Sequence, residues 1–131
     1  MFTTRRGLLV GAAVITAAGC TRETAHITTA DADLTAALRT ARTLAAAADE
    51  LGFGDFAEDH RTHAATLERL LKPNAIADET GELPADAAAL AEAETAASEE
   101  AGAACLSTDS DYAVVLGEIA ACRAAHAAVL A

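Results

Sequence analysis

The segment "KPNAIADETGELP", Lys72 to Pro84, does most to limit the folds open to this chain. On both sides of it apolar residues recur at helical spacing, and within it the pattern breaks completely. Upstream, one stripe runs Leu34, Leu38, Ala41, Leu44, Ala48, Leu51, beginning at Asp31 or Asp33 and stopping at Gly52. A second opens at Asp55, with Glu58 placed three residues on as in a capping box, and its inner face reads Phe56, His60, His63, Leu67, Leu70. Downstream, Pro84 suits the first turn of a third helix whose stripe is Ala87, Leu90, Glu94, Ala97, Ala101, Ala104. The fourth follows a "STDSD" cap and presents Tyr112, Val115, Ile119, Cys122, His126 and Val129 inward. Two short links around Gly52 and Asp109 make each helix pair antiparallel. The middle link, about a dozen residues, exceeds the roughly two to eight of an ordinary bundle turn. At about 3.3 Å per residue it reaches roughly 40 Å, more than the 30 Å or so of a 20-residue helix. The expected architecture is all-α: a four-helix bundle of two antiparallel hairpins joined by a long crossover.

Composition agrees. Of 131 residues 53% are hydrophobic and only 3% aromatic, with alanine supplying most of the apolar set. Alanine is the strongest helix former, so the core is expected to be thin and closely packed. The formal net charge is -11; loss of residues 1–19, which carry only Arg5 and Arg6, brings it to -13. Such a surface repels nucleic acid and anionic lipid, and makes acidic substrates poor partners.

The first residues, "MFTTRRGLLVGAAVITAAGC", read as an address. A basic pair, Arg5 and Arg6, precedes an apolar run of about a dozen residues, short of the roughly 20 that span a bilayer. Ala17-Ala18-Gly19-Cys20 resembles the lipobox of bacterial lipoproteins, with alanine where leucine is commoner. The resemblance implies lipidation at Cys20, which becomes the new N-terminus. Thr4 to Leu9, "TRRGLL", resembles a twin-arginine export signal, which moves folded proteins. The chain thus divides into a signal peptide at 1–19, a lipid-anchored tether at 20–30 that includes His26, and a bundle at 31–131. Its expected place is the outer face of the cell membrane.

Two hairpins and one crossover, with "HRTH" on the second helix and "EIAACRAAHAAVL" on the fourth, resemble the ferritin-like domains of exported bacterial lipoproteins over Asp31 to Ala131. Ferritin-like metal centres place a Glu on the first and third helices and Glu-x-x-His on the other two. This chain departs from that pattern. Three residues before His60, His63 and His126 stand Ala57, His60 and Arg123, and the first helix has no inward Glu. Only Glu94 matches, so a di-iron centre of that kind is not expected.

Axial position raises a different cluster. With a lengthwise crossover and about 1.5 Å per residue, His60 and His63 fall about 8–12 Å below the top of the bundle. Glu94 falls at about 13 Å, Cys122 at about 12 Å and His126 at about 6 Å. In an up-down-up-down bundle His126 drops to about 24 Å, out of reach. Imidazole, thiolate and carboxylate together suit zinc or another borderline divalent ion. The competing reading is that these are hydrogen-bonded core histidines beside Glu94. A Cys105–Cys122 disulfide is disfavoured by an axial offset of roughly 15 Å, against about 7 Å tolerated between Cα atoms. No Gly-x-Ser-x-Gly, Gly-rich phosphate loop, Cys-x-x-Cys or His-Glu-x-x-His occurs. Sequence therefore favours a non-enzymatic, lipid-anchored envelope protein whose bundle is a binding or interaction module without a cofactor. The rival reading is a metal-binding or metal-dependent redox protein using His60, His63, Glu94, Cys122 and His126.

Overall fold

The computed structural model describes residues 31–72 and 74–131. Among them the chain forms four helices and no strand: α1 Ala32–Glu50, α2 Gly54–Leu71, α3 Ala87–Ser107 and α4 Ala113–Leu130. They pack chiefly as α1 with α2 and α3 with α4, and α1 also touches α3. The expected export signal with Arg5 and Arg6, the expected lipidation site Cys20 and the expected tether with His26 lie outside the described residues.

Local chemistry sets the helix ends. The Asp31 carboxylate accepts from the N–H groups of Asp33 and Leu34, both at 3.0 Å, satisfying two amides that a helix start leaves free. Gly52 ends the first helical pair's turn at φ 85°, a left-handed backbone open to a residue without Cβ. Two starts differ from expectation. α2 begins at Gly54, Phe53 is its uncapped N-cap, and Glu58 binds Arg61 at 3.3 Å instead of closing a capping box over Asp55. α3 begins at Ala87 and not at Pro84, because Asp86 accepts from the Ala89 N–H at 2.8 Å and so supplies the side-chain cap. In "STDSD" the Thr108 hydroxyl accepts from the Ser110 N–H, and Tyr112 stands at the N-cap of α4 without a side-chain capping bond.

The core divides into two apolar clusters. One collects Leu34, Leu38 and Ala41 of α1, Ala64, Leu67 and Leu71 of α2, Ala101 of α3, and Leu116 and Ile119 of α4. The other collects Leu44, Ala47 and Ala48 of α1, Ala57 of α2, and Leu90 and Ala97 of α3, with Leu130 of α4 packed on it. The first halves of α1 and α4 therefore meet the second halves of α2 and α3. The connecting segment follows the same axis, with Ile76 packed on the first cluster and Leu83 on the second. Arg42 of α1 holds it, donating to the Ile76 and Ala77 carbonyls at 3.4 and 2.9 Å and to Glu68 at 3.0 Å. Farther along, the Gly81 N–H donates to the Thr43 hydroxyl at 2.9 Å.

The inward faces are turned slightly from those expected. On α2 Ala57, Ala64 and Leu71 are buried, while Phe56, His63 and Leu70 are half-buried. On α4 Leu116 and Arg123 take buried places, and Val129, expected inside, is 74% exposed. α4 is long and apolar enough to cross a membrane by length and composition, yet its buried face carries Arg123 and His126.

At one end the Tyr112 hydroxyl donates to Asp31, tying the start of α4 to the start of α1. Burial pushes the Asp31 carboxyl up, but the hydrogen bonds from Tyr112, Leu34 and Asp33 outweigh it, leaving its pKa below the ordinary 3.8. A carboxylate held low in the folded chain contributes stability that is present above its unfolded pKa and is lost as pH falls through the folded value. Asp31→Ala should cost about 1 kcal/mol in urea unfolding at neutral pH. The gap between the parent and Asp31→Asn should narrow once the pH drops below about 4; a gap of constant size from pH 6 to 2.5 would contradict this account.

Candidate functional site

Between the two apolar clusters lies a polar layer built from three helices. His60 sits between Ala57 and Ala64 on the buried face of α2, and Glu94 between Leu90 and Ala97 on that of α3. His126 follows Ile119 and Arg123 along α4 at helical spacing. His60 and Glu94 have no exposed surface, Arg123 has 1% and His126 has 5%. A layer this polar inside an alanine core is costly unless its groups partner one another.

They do so incompletely. The His60 Nε2–H donates to Glu94 Oε1 at 2.6 Å, and His126 Nδ1 lies 3.3 Å from the same oxygen. Its other nitrogen, Nε2, lies 3.2 Å from Asp59 Oδ2 and 3.6 Å from Cys122 Sγ. Phe56 stacks on the His126 ring at a centroid distance of 4.1 Å and 12° between planes, while His60 meets it edge-on at 5.1 Å. Among the described residues, Glu94 Oε2, His60 Nδ1, His63 Nδ1 and Arg123 Nε are buried with no hydrogen-bond partner. A neutral imidazole has one N–H, so His126 can satisfy Glu94 or Asp59 but not both.

Arg123 supplies the counter-charge. Its Nη1 donates to the Ala97 carbonyl at 3.1 Å and its Nη2 to that of Ala37 at 3.2 Å, bracing α4 against α3 and α1. Burial lowers the pKa of its guanidinium, and the carboxylates of Glu94 and Glu100 oppose the shift. Burial likewise raises that of the Cys122 thiol, and the Asp59 and Glu94 carboxylates add to this. Cys122 is therefore not an activated nucleophile by itself; it becomes a thiolate when a cation replaces its proton.

Two donor sets have ligand atoms within 4.8 Å of one another: His60, Glu94 and His126, fully buried, and Asp59, Cys122 and His126 at the rim. Of the five residues expected from sequence, the structure thus brings His60, Glu94, Cys122 and His126 together. His63 stands just outside, half-buried and edge-on to His60 with ring centroids 6.4 Å apart. Burial holds its pKa below the ordinary value, with His60 and Arg123 adding to the effect against Asp59. Cys105 and Cys122 are free thiols. Sequence reasoning missed two members. Arg123 lies four residues after Ile119 and three before His126, a buried register that its charge disguised. Asp59 adjoins His60 on the exposed side of α2, where the apolar period gives no signal for it.

No protein-family model, curated protein or solved structure matches the chain.

Replacing Arg123 by Met should remove its hydrogen bonds to the Ala97 and Ala37 carbonyls, and with them the brace of α4 against α3 and α1. The expected loss is roughly 2 kcal/mol, since hydrogen bonds from a charged donor contribute about 1.5–3 kcal/mol each and relief of the buried charge offsets part of it, read from urea unfolding. Stability equal to the parent's would show that the layer does not depend on this guanidinium.

Proposed function

We propose that the chain is an exported, lipid-anchored envelope protein whose ferritin-like bundle, two antiparallel helix pairs with a lengthwise crossover, binds a borderline divalent metal ion such as zinc at His60, Glu94 and His126. The arrangement is supported by the distribution of helix halves between the two core clusters and by the path of the connection from Ile76 to Leu83. The observation that carries the metal reading is Glu94. Its Oε1 is shared by two imidazoles while Oε2 has no partner among the described residues, all in a buried layer. An unpaired buried polar atom costs about 1–3 kcal/mol, and a cation held by imidazole and carboxylate removes that cost. The role is non-catalytic holding of the ion: the set has none of the Glu-x-x-His pairs of ferritin-like oxidases.

A second reading is a binding or interaction module with no metal, favoured by an open groove of about 700 Å³ between α1 and the connection, lined by Thr43, Leu44, Gly81, Leu83 and Pro84 among others. Metal analysis of the protein purified from its native export route separates the two. Stoichiometric metal is expected, lost in Glu94→Gln and His126→Ala while far-UV circular dichroism stays helical. At zinc about 100-fold above its dissociation constant, unfolding free energy should rise by about 2.7 kcal/mol. Retention of no metal, with no response of unfolding to zinc, would leave the groove reading. Anchoring has its own check: Cys20→Ala should move the protein from the membrane fraction to the soluble one, and a membrane-bound variant would refute lipidation.

A further inference from the structure

The His126 ring faces two sets of donors, one through each nitrogen. Nδ1 looks inward to Glu94 Oε1 at 3.3 Å, and Nε2 outward to Asp59 Oδ2 at 3.2 Å and Cys122 Sγ at 3.6 Å. The stacked Phe56 ring fixes the plane of the imidazole, so both ring nitrogens keep these directions. Helical spacing makes the outer set. Cys122 and His126 are four residues apart on α4 and share a face. Asp59 follows the turn of α2 from buried His60 to the solvent edge, where its side chain is 57% exposed. A thiolate, an imidazole and a carboxylate leaving one side open to water are a donor set suited to zinc or cobalt(II).

We propose that Asp59, Cys122 and His126 Nε2 form a second metal position at the rim, coupled to the inner ion through the His126 ring, so that the loaded bundle holds a pair of ions bridged by one imidazolate. The pair rests on the inner site proposed above. Filling the rim position displaces one proton from the Cys122 thiol and one from the ring of His126, both passing to solvent, with no change of oxidation state. The inner ion, without solvent access, is retained; the rim ion, with an exposed carboxylate ligand, exchanges.

Cobalt(II) titration of the full-length, metal-stripped protein under reducing conditions tests this. About two equivalents should bind, and a near-ultraviolet thiolate-to-cobalt absorption should appear in the parent. Cys122→Ser and, independently, Asp59→Asn should each lower the stoichiometry by about one, Cys122→Ser also abolishing the absorption, with the inner equivalent kept. The paramagnetic resonance of the two-cobalt form should be weaker than the sum of two isolated ions. Binding of a single equivalent without the thiolate absorption would overturn the rim position and leave the inner site standing, whereas a single equivalent with it would overturn the inner site and the paired arrangement. Two equivalents with simply additive resonance would overturn the bridge, and no binding at all would overturn the inner site as well.

Discussion

The structure depends on one buried carboxylate. Glu94, with no exposed surface, sits where two apolar clusters meet and is approached by His60 and His126 on one oxygen. An isolated ionised carboxylate in such a place costs several kcal/mol even after relaxation. Arg123, buried in the same layer, offsets part of this, and its hydrogen bonds to the Ala97 and Ala37 carbonyls convert the counter-charge into a brace across three helices. The layer thus selects one register of α3 against α2 and α4, which alanine–alanine packing alone specifies weakly.

A thin core explains why this layer is tolerated. Alanine at Ala41, Ala47, Ala48, Ala57, Ala97 and Ala101 lets the helices approach closely, and the large apolar residues are gathered toward the two clusters. Between them the space is filled by imidazoles, a glutamate and an arginine, with the Phe56 ring stacked on His126. The polar layer therefore packs the middle of the bundle as well as charging it. Its loose ends, the unpartnered atoms of Glu94, His60 and Arg123, are concentrated in that one layer, as expected where function and packing make competing demands.

The connection between α2 and α3 makes the layer possible. Arg42 and Thr43 hold it to α1, partly replacing with side-chain hydrogen bonds the backbone bonds that an irregular segment lacks. Its Ile76 packs on one cluster and its Leu83 on the other, and Glu94 of α3 lies level with His60 of α2. α4 then carries His126 to the same level after its hairpin turn at Tyr112.

By itself the sequence determined that the described chain is helical, where α1 ends at Gly52, and that His60, Glu94 and His126 lie on buried faces, because alanine propensity and the 3.6-residue period are local properties. It located the start of α3 three residues early, since a proline at a helix start is a preference while the Asp86 cap is an actual bond. It turned α2 and α4 slightly, placing Phe56 and Val129 inside where Ala57 and Arg123 belong, because apolar character outweighed a charge whose partners lie on other helices. Only the tertiary structure decided that His126 reaches Glu94, that Asp59 joins the cluster and that His63 stands outside it. Those are questions of axial level and rotation between helices far apart in sequence, which local periodicity does not fix and which appear only in the contacts of Glu94 with His60 and His126.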